Sequence, residues 1–502
     1  MKMKWSKLLA QERLGAPVKV VKLTEEKYPR SEFEKDYMRI LNCASFRRLQ
    51  DKTQVFPLDK SDFVRTRLTH SYETSAIAKT LGVMIRSQIL KKDLDQADQE
   101  AIANIPEVLA CAGLVHDVGN PPFGHFGEKI IQNWFKANLK MLNVKKVGSK
   151  ESPLAISKIL GNLEKDFEHF DGNAQALRVL TKLHFHDSDQ GLNLTAPILG
   201  TLIKYPTFSN QIKIDSDISR KKMGLFSSEW EIYQNIVKIT GAEGCRHPLT
   251  YILEAADDIA YKTADIEDGL KKGLYNVEQL ISFASQKIVE CEEKGVNIYF
   301  SRELFGELKK LQEGLPPGIV EKKVTDKDLF AIQNWIPYVR ECLMYVAVYR
   351  FTDKKYYADI MDGSNQYDLF HETHHEKSVE IFYDVLKEFV FSNREILKLE
   401  LAASTILTGL LDRLVPAVLF HDKKYVSEKH VEQASYEKLY QLLSENYIES
   451  YRIAPEKFQE KTDNPSSLIR YDIYHRLMLA VDYVSGMTDS FAKSLYQELM
   501  GI

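Results

Sequence analysis

Residues 107–128 read EVLACAGLVHDVGNPPFGHFGE. After Pro106, residues 107–118 are almost wholly apolar and predict a buried helix. Gly119-Asn120-Pro121-Pro122 stops it, because two prolines after a glycine force a turn. A third helix is predicted from near Gly127. His116 and Asp117 sit at the C-terminal end of the apolar helix. Aspartate is rarely buried unless it is paired or bound to metal, so this pair requires a partner.

Outward from this stretch the chain reads as helix. In 73–91, ETSAIAKTLGVMIRSQILK, residues Ile77, Leu81, Met84, Ile85 and Ile89 recur at spacings of three and four and form one stripe. A further helix is predicted over 248–269, and amphipathic helices from about 376 onward. No sustained alternating pattern is present. Short strands are expected only near 297–301 (NIYFS) and 346–351 (VAVYRF). The stretches 143–153, 209–224 and 313–327 are rich in Lys, Ser, Gly and Pro and predict loops. The expected fold is all-α, with a helical core, additional C-terminal helices and a few short strands. We divide it into an N-terminal extension (1–37), a core (38–275) and a helical C-terminal region (276–502) packing on that core.

The 502 residues carry 67 Lys and Arg against 71 Asp and Glu, a net charge of −4. This gives no overall basic field of the kind that draws a protein to nucleic acid. Five cysteines, an odd number without finger spacing, argue for a reducing compartment rather than a disulfide framework. The N-terminus lacks the apolar core of a signal peptide, and no apolar run approaches the ~20 residues of a membrane span. These features predict a cytoplasmic protein with no membrane partner.

Four residues stand out together: His70, His116, Asp117 and Asp257. Two imidazoles and two carboxylates suit a divalent ion such as Mn²⁺, Fe²⁺, Co²⁺ or Ni²⁺, and tolerate Mg²⁺. Such an ion acidifies a bound water for attack at neutral pH. His125 and Glu128, three apart at the start of a helix, share a face. No GxxxxGK[ST] loop is present, so any phosphate would be held by metal and side chains.

The pattern H…HD…D resembles the HD superfamily of metal phosphohydrolases. The runs FRRLQDKTQVFPL (46–58), RTRLTHS (65–71), HDVGNPPFGHFGE (116–128), DGNAQALRVL (171–180), LNLTAPILGTLIKYP (192–206) and HPLTYILEAADDIAY (247–261) are further similar to the deoxyguanosine triphosphate triphosphohydrolases. That resemblance is dense over about 38–270 and thin beyond, with YVSGMTDSFA (483–492) as the main echo. It implies hydrolysis of dGTP, or of other dNTPs, to deoxynucleoside and tripolyphosphate through water attack at the α-phosphorus. It implies metal at His70, His116, Asp117 and Asp257, with Mn²⁺ or Mg²⁺ foremost. His125 would be the proton donor to the leaving 5′-oxygen, and Glu128 would orient it. Arg67, Lys204 and Tyr205 would meet the phosphates, and Gln54 would lie beside the sugar or base. Tyr261 would pack on the deoxyribose and Asp265 would accept its 3′-hydroxyl. Asp257, Tyr261 and Asp265 are four apart and share a helix face, which favours Asp257 over Asp258 as the ligand.

The resemblance also implies a homo-oligomer, a hexamer before a tetramer, with single-stranded DNA or a nucleotide as effector. Arg470 and Arg476 are candidates for a late phosphate contact. The run Arg220-Lys221-Lys222 reads as a solvated loop, FHETHHE (370–376) as a polar helix or loop rather than a metal cluster, and His184 and His186 receive no role. Two other readings remain: another HD-family nucleotide phosphohydrolase, and a non-catalytic regulator that responds to nucleotide or DNA.

Overall fold

Thr66 opens the first helix that matters to the site. Its side chain accepts from the Thr69 amide while Thr69 reaches back, a reciprocal cap. The computed structural model of the chain describes residues 3–15, 30–58, 61–150, 152–184, 191–213, 217–314, 326–427, 433–459 and 464–501. The helices that frame the site are α1 (Arg67–Ile89), α2 (Ile105–Val115), α3 (Gly124–Asn138), α4 (Gly172–Lys182), α5 (Ala196–Leu202), α6 (Pro248–Lys271), α7 (Lys327–Thr352), α8 (Arg394–Phe420), α9 (Pro465–Ser485) and α10 (Asp489–Met500). Helix makes up 71% of the structure and strand 3%, so the fold is mainly all-α as the sequence predicts.

The cap at Thr66 starts α1 earlier than the apolar stripe alone indicates. His70 therefore lies within the first turns of α1. Ile77, Leu81, Ile85 and Ile89 are buried, and Met84 packs at the edge of the core. Helix α2 is buried on almost every side. It meets α1 backbone to backbone: a Cβ on Gly113 would stand 2.6 Å from the Cα of Ser75. That close approach brings His70 and His116 together. Helix α6 packs across both α1 and α2 and supplies Asp257.

The strands fall elsewhere than the sequence predicts. Residues 299–301 and 346–351 are helical, in Tyr299–Glu313 and in α7. Within α7, Leu343, Ala347, Val348 and Phe351 are buried at spacings of three and four. Packing at that period outweighs the β preference of valine and aromatic side chains. The strands are β1 (Asn143–Lys146), β2 (Leu154–Ala155) and β3 (Tyr425–Val426), antiparallel in the order β2-β1-β3. β1 lies in the predicted loop 143–153. Backbone pairing across a turn at Gly148 (φ +79°) forms it, without an alternating side-chain pattern.

Helix α8 is long and apolar enough to cross a membrane by length and composition, yet 67% of its most apolar window is buried inside the protein. It packs against α3, α9 and α10 and acts as a core helix. Arg178 of α4 joins the C-terminal helices to the core. Its guanidinium donates to both carboxylate oxygens of Asp482 on α9 and to Glu229 at 2.9 Å, all buried.

His247 caps the helix that carries Asp257. Its Nδ1 accepts from the Leu249 amide at 3.2 Å, and Nε2 donates to the Leu8 carbonyl at 2.9 Å. Burial holds its pKa down to about 4 from 6.5. A depressed histidine contributes stability that is present above 6.5 and is lost as pH falls toward 4. At about 1.4 kcal/mol per tenfold in proton affinity, the difference amounts to about 3 kcal/mol. The melting temperature should therefore drop between pH 6.5 and 4, and His247→Asn, which caps without titrating, should drop less. Parallel curves for the two proteins would exclude His247 as the responsible group.

Candidate active site

Three helices deliver one cluster. Nε2 of His70 (α1) lies 3.1 Å from Oδ1 of Asp257 (α6), and Nε2 of His116, just past α2, lies 3.3 Å from the same oxygen. All three ligand atoms fall within 4.8 Å of one another. Nδ1 of His116 donates to the Gly113 carbonyl at 2.8 Å. A carbonyl can only accept, so Nδ1 carries a proton, and in the neutral ring Nε2 is the nitrogen left to ligate; it points into the cluster. It is buried with no hydrogen-bond partner. Two imidazole nitrogens and a carboxylate oxygen converging in this way fit a divalent cation.

The electrostatics agree. Burial disfavours charge on His116, but Asp117 and Asp257 outweigh it and raise its pKa, so the site favours positive charge. Burial also opposes ionisation of Asp257. Lys204, 2.9 Å from its Oδ2, and the two imidazoles hold that carboxyl well below the usual range. Asp117 stands at the margin. Its oxygens are 3.6 Å from His116 Nε2 and 4.0 Å from His70 Nε2. Arg67 at 2.6 Å and Asn120 at 2.5 Å hold its carboxylate. Asp258 pairs with Lys262 at 2.9 Å instead of joining the cluster.

His125 sits at the start of α3, 71% exposed, with Nδ1 2.9 Å from Glu128 Oε2. Glu128 is buried, and its Oε1 accepts from the Gly172 amide at 2.7 Å. Burial works against its charge, but the His125 bond and the Lys222 cation lower its pKa. An ionised carboxylate only accepts, so Nδ1 of His125 donates and Nε2 faces outward. The turn before His125 lies flat on α4: a Cβ on Gly119 would meet Ala176 N at 2.1 Å and Gly172 O at 2.2 Å.

Of the remaining predicted residues, Arg67 and Lys204 contact the cluster carboxylates, and the others lie on neighbouring stretches of chain. Arg67 is buried against Asp117 with its Nε unpartnered. Tyr205 follows Lys204 directly, with the Arg246 guanidinium 5.7 Å from its ring. Tyr261 and Asp265 follow Asp257 along α6. Burial and neighbouring Asp268 push the Asp265 carboxyl well up, and its Oδ1 has no hydrogen-bond partner. Gln54 Oε1 is likewise buried and unpartnered. Buried polar atoms are normally paired. Gln54, Arg67, His116 and Asp265 each keep an unpartnered one, as do other described residues such as Glu164, Arg350 and His475.

Several side chains lie elsewhere than the sequence predicts. Arg476 is not a phosphate contact: its guanidinium is taken up by Asp472, Asp422 and the carbonyls of Val418 and Leu419. Arg470 donates to the Ile159 carbonyl. His371 binds Glu376 at 3.1 Å and stacks on Tyr367, while His374 and His375 pack on Phe300. They form no metal cluster among the described residues. His184 bonds Ser45 at 3.0 Å, and His186 lies outside the described residues. Lys222, read as a solvated cation, reaches Asp171 at 3.2 Å, and its charge acts on Glu128 and Tyr205. Asp171, Lys222 and Asp489 escape a reading by motif. Position inside matched runs, DGNAQ for Asp171 and TDSFA for Asp489, hints at two of them, and nothing in the predicted loop 209–224 hints at Lys222.

An HD domain model matches residues 67–194, which include His70, His116, Asp117, His125 and Glu128 but not Asp257. A Listeria monocytogenes protein named deoxyguanosinetriphosphate triphosphohydrolase-like is 40% identical over the whole of both chains. The deoxyguanosinetriphosphate triphosphohydrolase of Yersinia enterocolitica is 31% identical over 93% of each. A Pseudomonas aeruginosa protein named probable deoxyguanosinetriphosphate triphosphohydrolase is 31% identical over 94% of this chain and 93% of its own.

Proposed function

The chain belongs to the deoxyguanosinetriphosphate triphosphohydrolase family of HD-domain enzymes, and from that membership we propose that it hydrolyses dGTP at the α-phosphorus to deoxyguanosine and intact tripolyphosphate. The observation that carries the reading is the placement of the His70–His116–Asp257 cluster beside the Arg67-held Asp117 and, across one short turn, the His125–Glu128 pair.

In this reading His70, His116, Asp117 and Asp257 hold a divalent ion, Mn²⁺ before Mg²⁺, with Fe²⁺, Co²⁺ and Ni²⁺ as further fits. When bound there, such an ion would supply an acidified water and would polarise a phosphate oxygen. Arg67, Lys204 and Tyr205 meet the charge of the triphosphate, as cations must in a site without a P-loop. An expelled 5′-oxygen is a poor leaving group and needs a proton. Nε2 of His125 donates it, while Glu128 fixes the ring through Nδ1. Tyr261 packs on the deoxyribose, Asp265 accepts the 3′-hydroxyl and Gln54 lies beside sugar or base. A ring under the 2′ carbon excludes a ribonucleotide sterically.

The proposal extends to a cytoplasmic homo-oligomer, a hexamer before a tetramer, with single-stranded DNA or a nucleotide as effector and no membrane role. Exposed Tyr345, Tyr349 and Leu401 offer apolar surface for such an assembly.

The test is incubation with Mn²⁺ and, separately, dGTP, dATP, dCTP, dTTP and GTP, with products separated by ion exchange. We expect deoxynucleoside plus tripolyphosphate, fastest from dGTP and slowest from GTP. Nucleoside diphosphate or monophosphate would favour a different HD-family phosphohydrolase. No turnover with single-stranded DNA added would favour a non-catalytic regulator.

A further inference from the structure

We propose that Asp489 is a positioning residue for the reaction: from the first turn of α10 its carboxylate holds both the turn that carries His125 and the segment that carries Gln54. The roles of those two residues rest on the functional reading above. Asp489 is 2% exposed. Its Oδ1 accepts from the Phe123 amide at 2.9 Å. Its Oδ2 accepts from the Thr53 amide at 3.0 Å and from the Thr53 hydroxyl.

Both anchored points border the site. Phe123 has φ +63°, a left-handed conformation that a non-glycine residue keeps only where its surroundings fix it. The next residue, Gly124 (φ +59°), lies so close to Arg67 that a Cβ would stand 2.5 Å from its Nη2. The turn is thus wedged between Arg67 on one side and Asp489 on the other. The His125 ring is mostly exposed, so the backbone of this turn and Glu128 set its position rather than packing. On the other arm, Thr53 pairs with Thr66, the cap of α1, and precedes Gln54. Lys52 reinforces the junction by donating to the Asn120 carbonyl at 2.5 Å and the Ser485 carbonyl at 2.9 Å.

An aspartate in a first turn commonly serves only the helix dipole. Here the carboxylate accepts from two distant segments, 366 and 436 residues away in sequence. Two amides and a hydroxyl demand an acceptor on both oxygens. Asparagine offers one acceptor oxygen, so at least one backbone amide loses its partner.

The test uses full-length Asp489→Asn, with kcat and KM for dGTP, Mn²⁺ affinity and hydrogen exchange measured side by side. We expect kcat to fall about tenfold to a hundredfold, the range for a lost bond to a charged acceptor. Mn²⁺ affinity should stay within about threefold, because no cluster residue is touched. Exchange should accelerate in peptides spanning 51–56 and 119–127 and not elsewhere. An unchanged kcat with unchanged exchange overturns the proposal. So does a general rise in exchange with loss of Mn²⁺ affinity, which marks a merely structural role. If the wild type does not hydrolyse dGTP, the functional reading fails, and the exchange pattern still decides whether Asp489 holds the turn. Should Asp489→Asn not fold, Thr53→Val removes the hydroxyl bond alone. That variant should raise KM about threefold to tenfold with kcat preserved, and an unchanged KM overturns the proposal.

Discussion

Asp257→Ala should reduce dGTP turnover on the order of 10³- to 10⁵-fold, the several kcal/mol that a metal ion contributes to such a reaction. One oxygen of Asp257 faces both imidazoles and the other faces Lys204, so its loss breaks the cluster and strands a buried cation. Mn²⁺ binding, followed by calorimetry, should weaken with it. Asp258→Asn is the matched control. That side chain is one position along α6 and pairs with Lys262, so turnover should stay within about threefold of wild type. Equal losses in both variants would mean that the cluster is held by the helix as a whole and not by Asp257.

His125→Ala should lower kcat about 10²- to 10⁴-fold, the usual contribution of a general acid. The ring is mostly exposed, so little packing is lost. The melting temperature should fall only by the modest amount that losing one partner of buried Glu128 entails. Mn²⁺ affinity should also survive, since His125 is not in the cluster. Stopped single-turnover assays with saturating Mn²⁺ separate the two effects. A variant that keeps its kcat would remove His125 from the chemistry. One that loses Mn²⁺ would make it a ligand instead.

Much of this site was readable because it obeys local rules. His116 and Asp117 close a helix that is apolar on nearly every side, and a buried acid without a local partner announces a cluster. The four-residue spacing of Asp257, Tyr261 and Asp265 selected one face of α6, and Asp257 does face the imidazoles. What was not readable depends on distance in sequence. Asp489 meets Phe123 and Thr53 only because α10 folds back onto the core. Lys222 looked like a solvated cation because a charge run does not reveal the Asp171 it reaches. Arg476 looked available for phosphate because, apart from Asp472 one turn away, its partners, Asp422 and the end of α8, lie more than fifty residues upstream. The misplaced strands have the same origin: β3 pairs with β1 across most of the chain, while the valines and aromatics of α7 follow a helical burial period.

Isotope placement tests the central claim most directly. Hydrolysis of dGTP in ¹⁸O-labelled water, with products read by mass spectrometry, reports which phosphorus the water attacks. Attack at the α-phosphorus with expulsion of the 5′-oxygen predicts one ¹⁸O in tripolyphosphate and none in deoxyguanosine. Label in deoxyguanosine, in orthophosphate beside dGDP, or in pyrophosphate or dGMP would contradict the account.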